Sequence, residues 1–215
     1  MSTPGNDASP VQLPERLLQQ RLVGTLPDRA MPSLVAAVEV MVQEGIGVVS
    51  LPAGKVEQAA RLRAVFGPRA TLGVHDISSG QELDEALEAG VNFLALAGPD
   101  ESLAARIREA GVPFLVSALT PTEVQAAWRS GVSAVLVVPA EVMGSGYPEA
   151  LVQLAPGVDL CARGGLGAYS ARRWAEAGAT AVWLDDALLG DAFGGGSLGS
   201  LRERCQTFRT AVDEG

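Results

Sequence analysis

The chain has 215 residues, 47% hydrophobic and 19% charged, with a mean hydropathy of +0.21, which is enough apolar material for a core and excludes a wholly disordered chain. The net charge of −9 has the wrong sign for a nucleic-acid partner and argues against an acidic membrane surface. No apolar run approaches the ~18 residues that span a bilayer, residues 1–20 lack a signal-peptide pattern, and Cys161 and Cys205 make neither a disulfide framework nor a metal-ligand pair, so the chain reads as soluble and cytoplasmic.

In chain order, residues 1–15 open with Ser2, Thr3, Pro4, Gly5, Asn6 and Asp7, turn formers without apolar periodicity, and read as a flexible tail. Residues 16–215 read as one domain. A strand is expected over Arg21–Leu26. Then a tag recurs, a helical stretch, a small residue and Gly, followed by a short β-prone run. It occurs as Gln43-Glu44-Gly45 before Ile46–Leu51 and as Glu88-Ala89-Gly90 before Val91–Ala97. It recurs as Glu109-Ala110-Gly111 before Val112–Ser117, Arg129-Ser130-Gly131 before Val132–Val138, and Glu176-Ala177-Gly178 before Ala179–Leu184. A glycine just past a helix takes the left-handed conformation that ends it, and the apolar run after it suits a buried parallel strand.

Gly90, Gly111 and Gly131 lie about 20 residues apart, and the wider gaps each hide one more unit, Arg69–Asp76 and Val158–Arg163. Ser79–Ala89 places Leu83, Ala86 and Leu87 on one helical stripe, and Thr120-Pro121-Thr122-Glu123 starts a helix with a cap and an early proline. Gly194-Gly195-Gly196 is a hinge before an amphipathic helix over Leu198–Val212. Eight right-handed βα units close into a (β/α)₈ TIM barrel, an α/β fold in a single domain. The competing dinucleotide-binding fold needs a glycine-rich turn after the first strand. Leu26-Pro27-Asp28-Arg29 stands there instead.

Barrel enzymes place their chemistry at the carboxyl ends of the strands. Here those positions are short of bases. The chain has fifteen arginines but one lysine, Lys55, and one histidine, His75.

Leu119-Thr120-Pro121-Thr122-Glu123, Val137-Val138-Pro139-Ala140-Glu141, Gly164-Gly165 and the Glu-Ala-Gly tags, in that order and spacing, resemble the 2-keto-3-deoxy-6-phosphogluconate / 4-hydroxy-2-oxoglutarate aldolase family over about residues 20–212. The resemblance implies a class I aldolase barrel, usually trimeric, that cleaves its substrates to pyruvate and an aldehyde. It also implies that the machinery is missing. Leu136 falls where the family has its Schiff-base lysine, three residues before the proline of Pro139-Ala140-Glu141. Ser50 falls on the strand-two general base, and Gly54 on the arginine that helps hold the substrate. Asp76 falls on the threonine that contacts the pyruvate carboxylate, and Leu184-Asp185-Asp186 on the phosphate-binding Gly-Gly-Ser. Arg163 falls on a threonine, while Gly164 and Gly165 match the phosphate site.

Leucine supplies no amine for an imine, and an unaided serine is not a base for proton transfer at the pyruvyl carbon. A carboxylate at Asp76 or Asp186 repels an anionic substrate, at about 4 kcal/mol for two charges ~4 Å apart and an effective dielectric of 20. The chain is therefore expected to be a non-aldolase pseudoenzyme, acting as a binding or scaffold protein, without catalytic residues, metal or cofactor. The competing reading is a pyruvate-forming lyase that uses Lys55 or a divalent metal at the acidic rim of Asp76, Asp185, Asp186, His75 and Glu141.

The ligand-binding candidates are Ser50, Lys55, Asp76, Arg163, Gly164, Gly165 and Asp186, for a small carboxylate. For each a plainer role stands beside this one. Leu136 and Cys161 read as core, and Lys55 as a solvated helix-start residue. Asp76, Asp185 and Asp186 read as helix caps, and Arg163 as the ion-pair partner of Asp185 or Asp186. The partners implied are copies of the same chain in a homotrimer, with no nucleic acid and no membrane.

Overall fold

The computed structural model describes residues 10–215; the part of the expected tail formed by residues 1–9 lies outside the described residues. Strands β1 (Leu22–Thr25), β2 (Val48–Pro52), β3 (Thr71–Ile77) and β4 (Phe93–Leu96) are followed by β5 (Phe114–Ala118), β6 (Ala134–Val137), β7 (Leu160–Arg163) and β8 (Ala181–Leu184). All pair in parallel with their sequence neighbours, and β8 returns to β1, so the sheet closes as an eight-stranded barrel. This is the expected single-domain (β/α)₈ barrel; its strands begin one or two residues later than the apolar runs suggest and end within one residue of them.

Helix α1 (Glu15–Gln20) precedes β1, and α2 (Met31–Gln43), α3 (Val56–Phe66), α4 (Gly80–Glu88), α5 (Glu101–Ala110), α6 (Pro121–Trp128), α7 (Tyr147–Leu154) and α8 (Ala168–Glu176) link successive strands. After β8 come a single turn, α9 (Asp186–Leu189), and the long α10 (Leu198–Asp213). The tag glycines Gly45, Gly90, Gly111, Gly131 and Gly178 all have positive φ, as the helix-stop reading requires. Ser79 and Thr120 each close a capping box, with Glu82 and Glu123 respectively. No helix among the described residues is long and apolar enough to cross a membrane.

Two apolar layers result. Outward-facing strand residues such as Val49, Leu51, Leu72, Val74 and Val135 pack against the helices. Inward-facing residues fill the barrel: Val23, Val48, Phe93, Leu115, Leu136, Cys161 and Trp183 are buried in one cluster, joined by Leu13 and Leu17. Because α1 lies at the amino-terminal end of the strands, where Gln20 Oε1 accepts from the Gly47 amide (2.8 Å), Leu13 and Leu17 plug the barrel floor. Nearby, the Ser133 hydroxyl donates to the Val11 carbonyl (2.6 Å).

The interior leaves little spare room. On β3, a Cβ at Gly73 would land on the Phe93 ring, which is itself wedged edge-on to Trp183 at 5.7 Å between centroids. Gly73→Ala is expected to destabilise the protein by about 1–3 kcal/mol, the usual range for overpacking. In a Phe93→Leu background the same change should cost less than about half of that, because the clash is gone. Denaturant melts of the four proteins check this. Equal costs in both backgrounds would show that Phe93 is not the obstacle.

Candidate functional site at the barrel mouth

Alternation along each strand sends Thr25, Ser50, His75, Arg163 and Trp183 inward near the carboxyl ends, above the apolar layer. Ser50 is fully buried and His75 is 2% exposed. Pro52 and His75 are register partners, and Ser50 Oγ lies 2.8 Å from His75 Nδ1. On the other edge of the ring, Nε2 lies 3.7 Å from Asp76 Oδ2. The charge on Asp76 favours the tautomer protonated at Nε2, so Nδ1 accepts from the Ser50 hydroxyl. Burial, reinforced by the positive Arg163 and only partly opposed by Asp76, brings the His75 pKa down to about 3. The ring is thus neutral at physiological pH.

Asp76 reaches this place by breaking strand geometry. The β3–β4 register shifts between Val74 and Ile77, and Asp76 has φ +60°, a left-handed conformation that Asp tolerates better than most residues. Its carboxylate takes a two-pronged grip from Arg163, with Nη1–Oδ1 at 2.8 Å and Nη2–Oδ2 at 3.1 Å, the strong planar geometry of guanidinium and carboxylate. Partial burial pushes the Asp76 pKa up, but the hydrogen bonds and charge of Arg163, aided by His75, outweigh it and hold the carboxyl below the usual value.

Two expectations are corrected here. Arg163 pairs with Asp76 across the barrel rather than with Asp185 or Asp186 on the adjacent strand end, because the guanidinium points inward over the mouth. Asp76 caps no helix, since Ser79 caps α4. Asp185 stands at the start of α9 but makes no side-chain cap hydrogen bond, and Asp186 is the first residue of that turn.

Leu136 is fully buried, with Ser117 and Cys161 as its register partners on β5 and β7. Burial pushes the Cys161 thiol up to about 12, so it is no nucleophile. Lys55 does not join the group. It ends the 3-10 turn Ala53–Lys55 after β2, and its ammonium pairs with Asp28 at 2.7 Å on the rim. Gly164 (φ +105°) and Gly165 (φ +73°) turn the chain after β7, and a Cβ on Gly164 would press to 3.1 Å on Pro139 Cα. Among the described residues, no three His, Cys, Asp or Glu side chains come together as a metal-binding group.

Of the sequence candidates, then, Ser50, Asp76 and Arg163 converge, with His75 between them; Lys55 and Asp186 stand apart. Strand alternation could have flagged Trp183. Its indole N–H has no oxygen or nitrogen partner among the described residues, and neither has the buried Thr25 hydroxyl. Beside the mouth, a cleft of about 430 Å³ is lined by Asp76, Gly98, Pro99, Ser117, Leu119 and Val138, among others. Arg163 holds one carboxylate, that of Asp76, and among the described residues no amine lies inside the barrel.

The model of a family described as KDPG and KHG aldolase matches residues 14–191. A 4-hydroxy-2-oxoglutarate aldolase/2-deydro-3-deoxyphosphogluconate aldolase from TTHB1 is 29% identical, aligns over 92% of this chain and 96% of its own, and superposes with a TM-score of 0.80. The 2-keto-3-deoxy-6-phospho-gluconate aldolase from Zymomonas mobilis is 17% identical over 92% and 96% of the two chains, with a TM-score of 0.80. A KDPG aldolase from Legionella pneumophila, solved with pyruvate captured as a covalent carbinolamine, is 15% identical over 90% and 96%, with a TM-score of 0.77. The last two likenesses show the fold alone. No curated protein matches the chain by sequence.

Proposed function

The chain belongs to the KDPG and KHG aldolase family, and from that premise we propose that it is a member without the family's imine chemistry, working as a binding or scaffold barrel. One observation carries the reading. At Leu136, which by resemblance occupies the Schiff-base position, the side chain is sealed in apolar packing with Leu115, Cys161 and Trp183 in the same cluster. An imine needs a nucleophilic nitrogen at the keto carbon, and the one lysine of the chain is tied to Asp28 outside the barrel. Ser50, at the position of the family's base by resemblance, is buried and bonded to His75, and a serine hydroxyl does not replace a carboxylate as the base at the pyruvyl carbon. The same reading gives Arg163, Gly164 and Gly165 a ligand-holding role, and it takes from the family a homotrimeric, cytoplasmic protein.

Incubation with pyruvate and borohydride, followed by intact mass spectrometry, is expected to leave the protein unmodified. A stable pyruvyl adduct on Lys55 would overturn the reading in favour of a lyase.

A further inference from the structure

We propose that the Asp76 carboxylate is an internal stand-in for a ligand: the Arg163–Asp76 pair covers a site for a small monocarboxylate with a short apolar tail, which binds by displacing Asp76 from Arg163. This rests on the non-aldolase reading above and gives it a ligand class. The grip of Arg163 on Asp76, 2.8 and 3.1 Å on two prongs, is the one arginine gives a bound carboxylate. The two partners are unequally held. The Arg163 side chain is 14% exposed, and that of Asp76 is 47% exposed. The aspartate can turn out to water, whereas the guanidinium stays in the mouth and needs an anion.

Asp76 also forms part of the wall of the 430 Å³ cleft, so its departure would open the cleft onto Arg163. The rest of the lining sets the ligand chemistry. Pro99, Ala118, Leu119 and Val138 offer an apolar bed, and Ser117 a hydroxyl. Glu123, whose carboxylate is held ionised by backbone N–H groups of Thr120 and Leu119, lies at the same cleft and repels a second negative charge. A phosphate or a dicarboxylate is therefore disfavoured, and a monocarboxylate with an apolar tail fits. On the same interior wall, beside Ser50, the Thr25 hydroxyl is buried without a partner among the described residues, a hydrogen-bond demand left unmet.

An internal carboxylate competes at high effective concentration, so removing it should reveal the site. Calorimetric titration with straight-chain alkanoates from acetate to hexanoate tests this on the full chain, with hexanamide as the uncharged control. Asp76→Asn is expected to bind hexanoate at least about tenfold more tightly than the unaltered protein, and Arg163→Gln to lose binding. Hexanamide should bind to none of them. Should Asp76→Asn fail to fold, Asp76→Gly serves, because glycine accepts the φ of +60° at that position.

Equal affinity with and without Asp76, no binding to either protein, or binding retained in Arg163→Gln would overturn the proposal. Alkanoates have no keto group and form no imine. Their failure to bind therefore speaks only against this site, while a borohydride-trapped adduct speaks only against the non-aldolase reading.

Discussion

Leu136→Lys is expected to destabilise the protein by about 4.5 kcal/mol at pH 7 and to leave it without retro-aldol activity. The position is fully buried among apolar neighbours. An ammonium placed there would lose its hydration without gaining a partner, so the amine is driven neutral. Lowering its pKa from ~10.4 in the unfolded chain to ~6 costs about 4.5 kcal/mol at pH 7. The sign follows from the proton count. The unfolded state binds the proton and the native state does not, so the penalty grows as pH falls below about 10 and disappears above it. Denaturant melts of variant and parent at pH 7 and pH 10 check this, and an unchanged difference between the two would show that the ammonium finds a partner inside.

A neutral amine is itself a competent nucleophile, so the mutant also isolates the rest of the machinery. No base or substrate-holding arginine is restored with it, and Arg163–Asp76 still closes the mouth. Cleavage of 2-keto-3-deoxy-6-phosphogluconate to pyruvate by this single variant would show that the amine alone was missing.

Acidification should act through His75. The chain contains one histidine, and burial brings its pKa in the fold to about 3 from an ordinary 6.5. At pH 5 the unfolded chain carries the extra proton and the native protein does not. Stability contributed by the neutral ring is therefore complete above about pH 6.5 and is lost as pH falls towards 3. Between pH 7 and pH 5 the loss is about 2 kcal/mol, at 1.36 kcal/mol per pH unit. Ordinary carboxylates titrate lower, which leaves this window to His75. At lower pH the protonation of Asp76, held below its usual value mainly by Arg163 against the effect of burial, removes the grip of Arg163 as well. Urea melts of the parent and His75→Gln at the two pH values test the assignment: the variant should lose little, and equal losses in both would remove His75 as the cause.

The architecture was legible because its signals are local. A glycine that must turn left-handed after each helix, and an apolar run of strand length after it, repeat along the chain, and the right-handed βα rule leaves few ways to assemble eight such units. Cys161 and Arg163, two positions apart on β7, share a face, as strand alternation requires. All five glycines that appear as helix stops in the sequence have positive φ in the fold.

The partners of those side chains were not legible. Arg163 and Asp76 are 87 positions apart, and nothing near either residue announces the other. Neighbouring acids at Asp185 and Asp186 were the nearer choice along the sheet, but an inward arginine reaches across a closed barrel, and the bulge in β3 turns Asp76 to meet it. The bond between Ser50 and His75 likewise depends on the stagger of two strands. Sequence by itself determined the barrel and limited the side-chain amines to one lysine, since both follow from residue type and short-range periodicity. Only the tertiary structure decided which charges neutralise each other over the mouth. That choice depends on the width and shear of the closed sheet, which arise from all eight strands together and from no single segment.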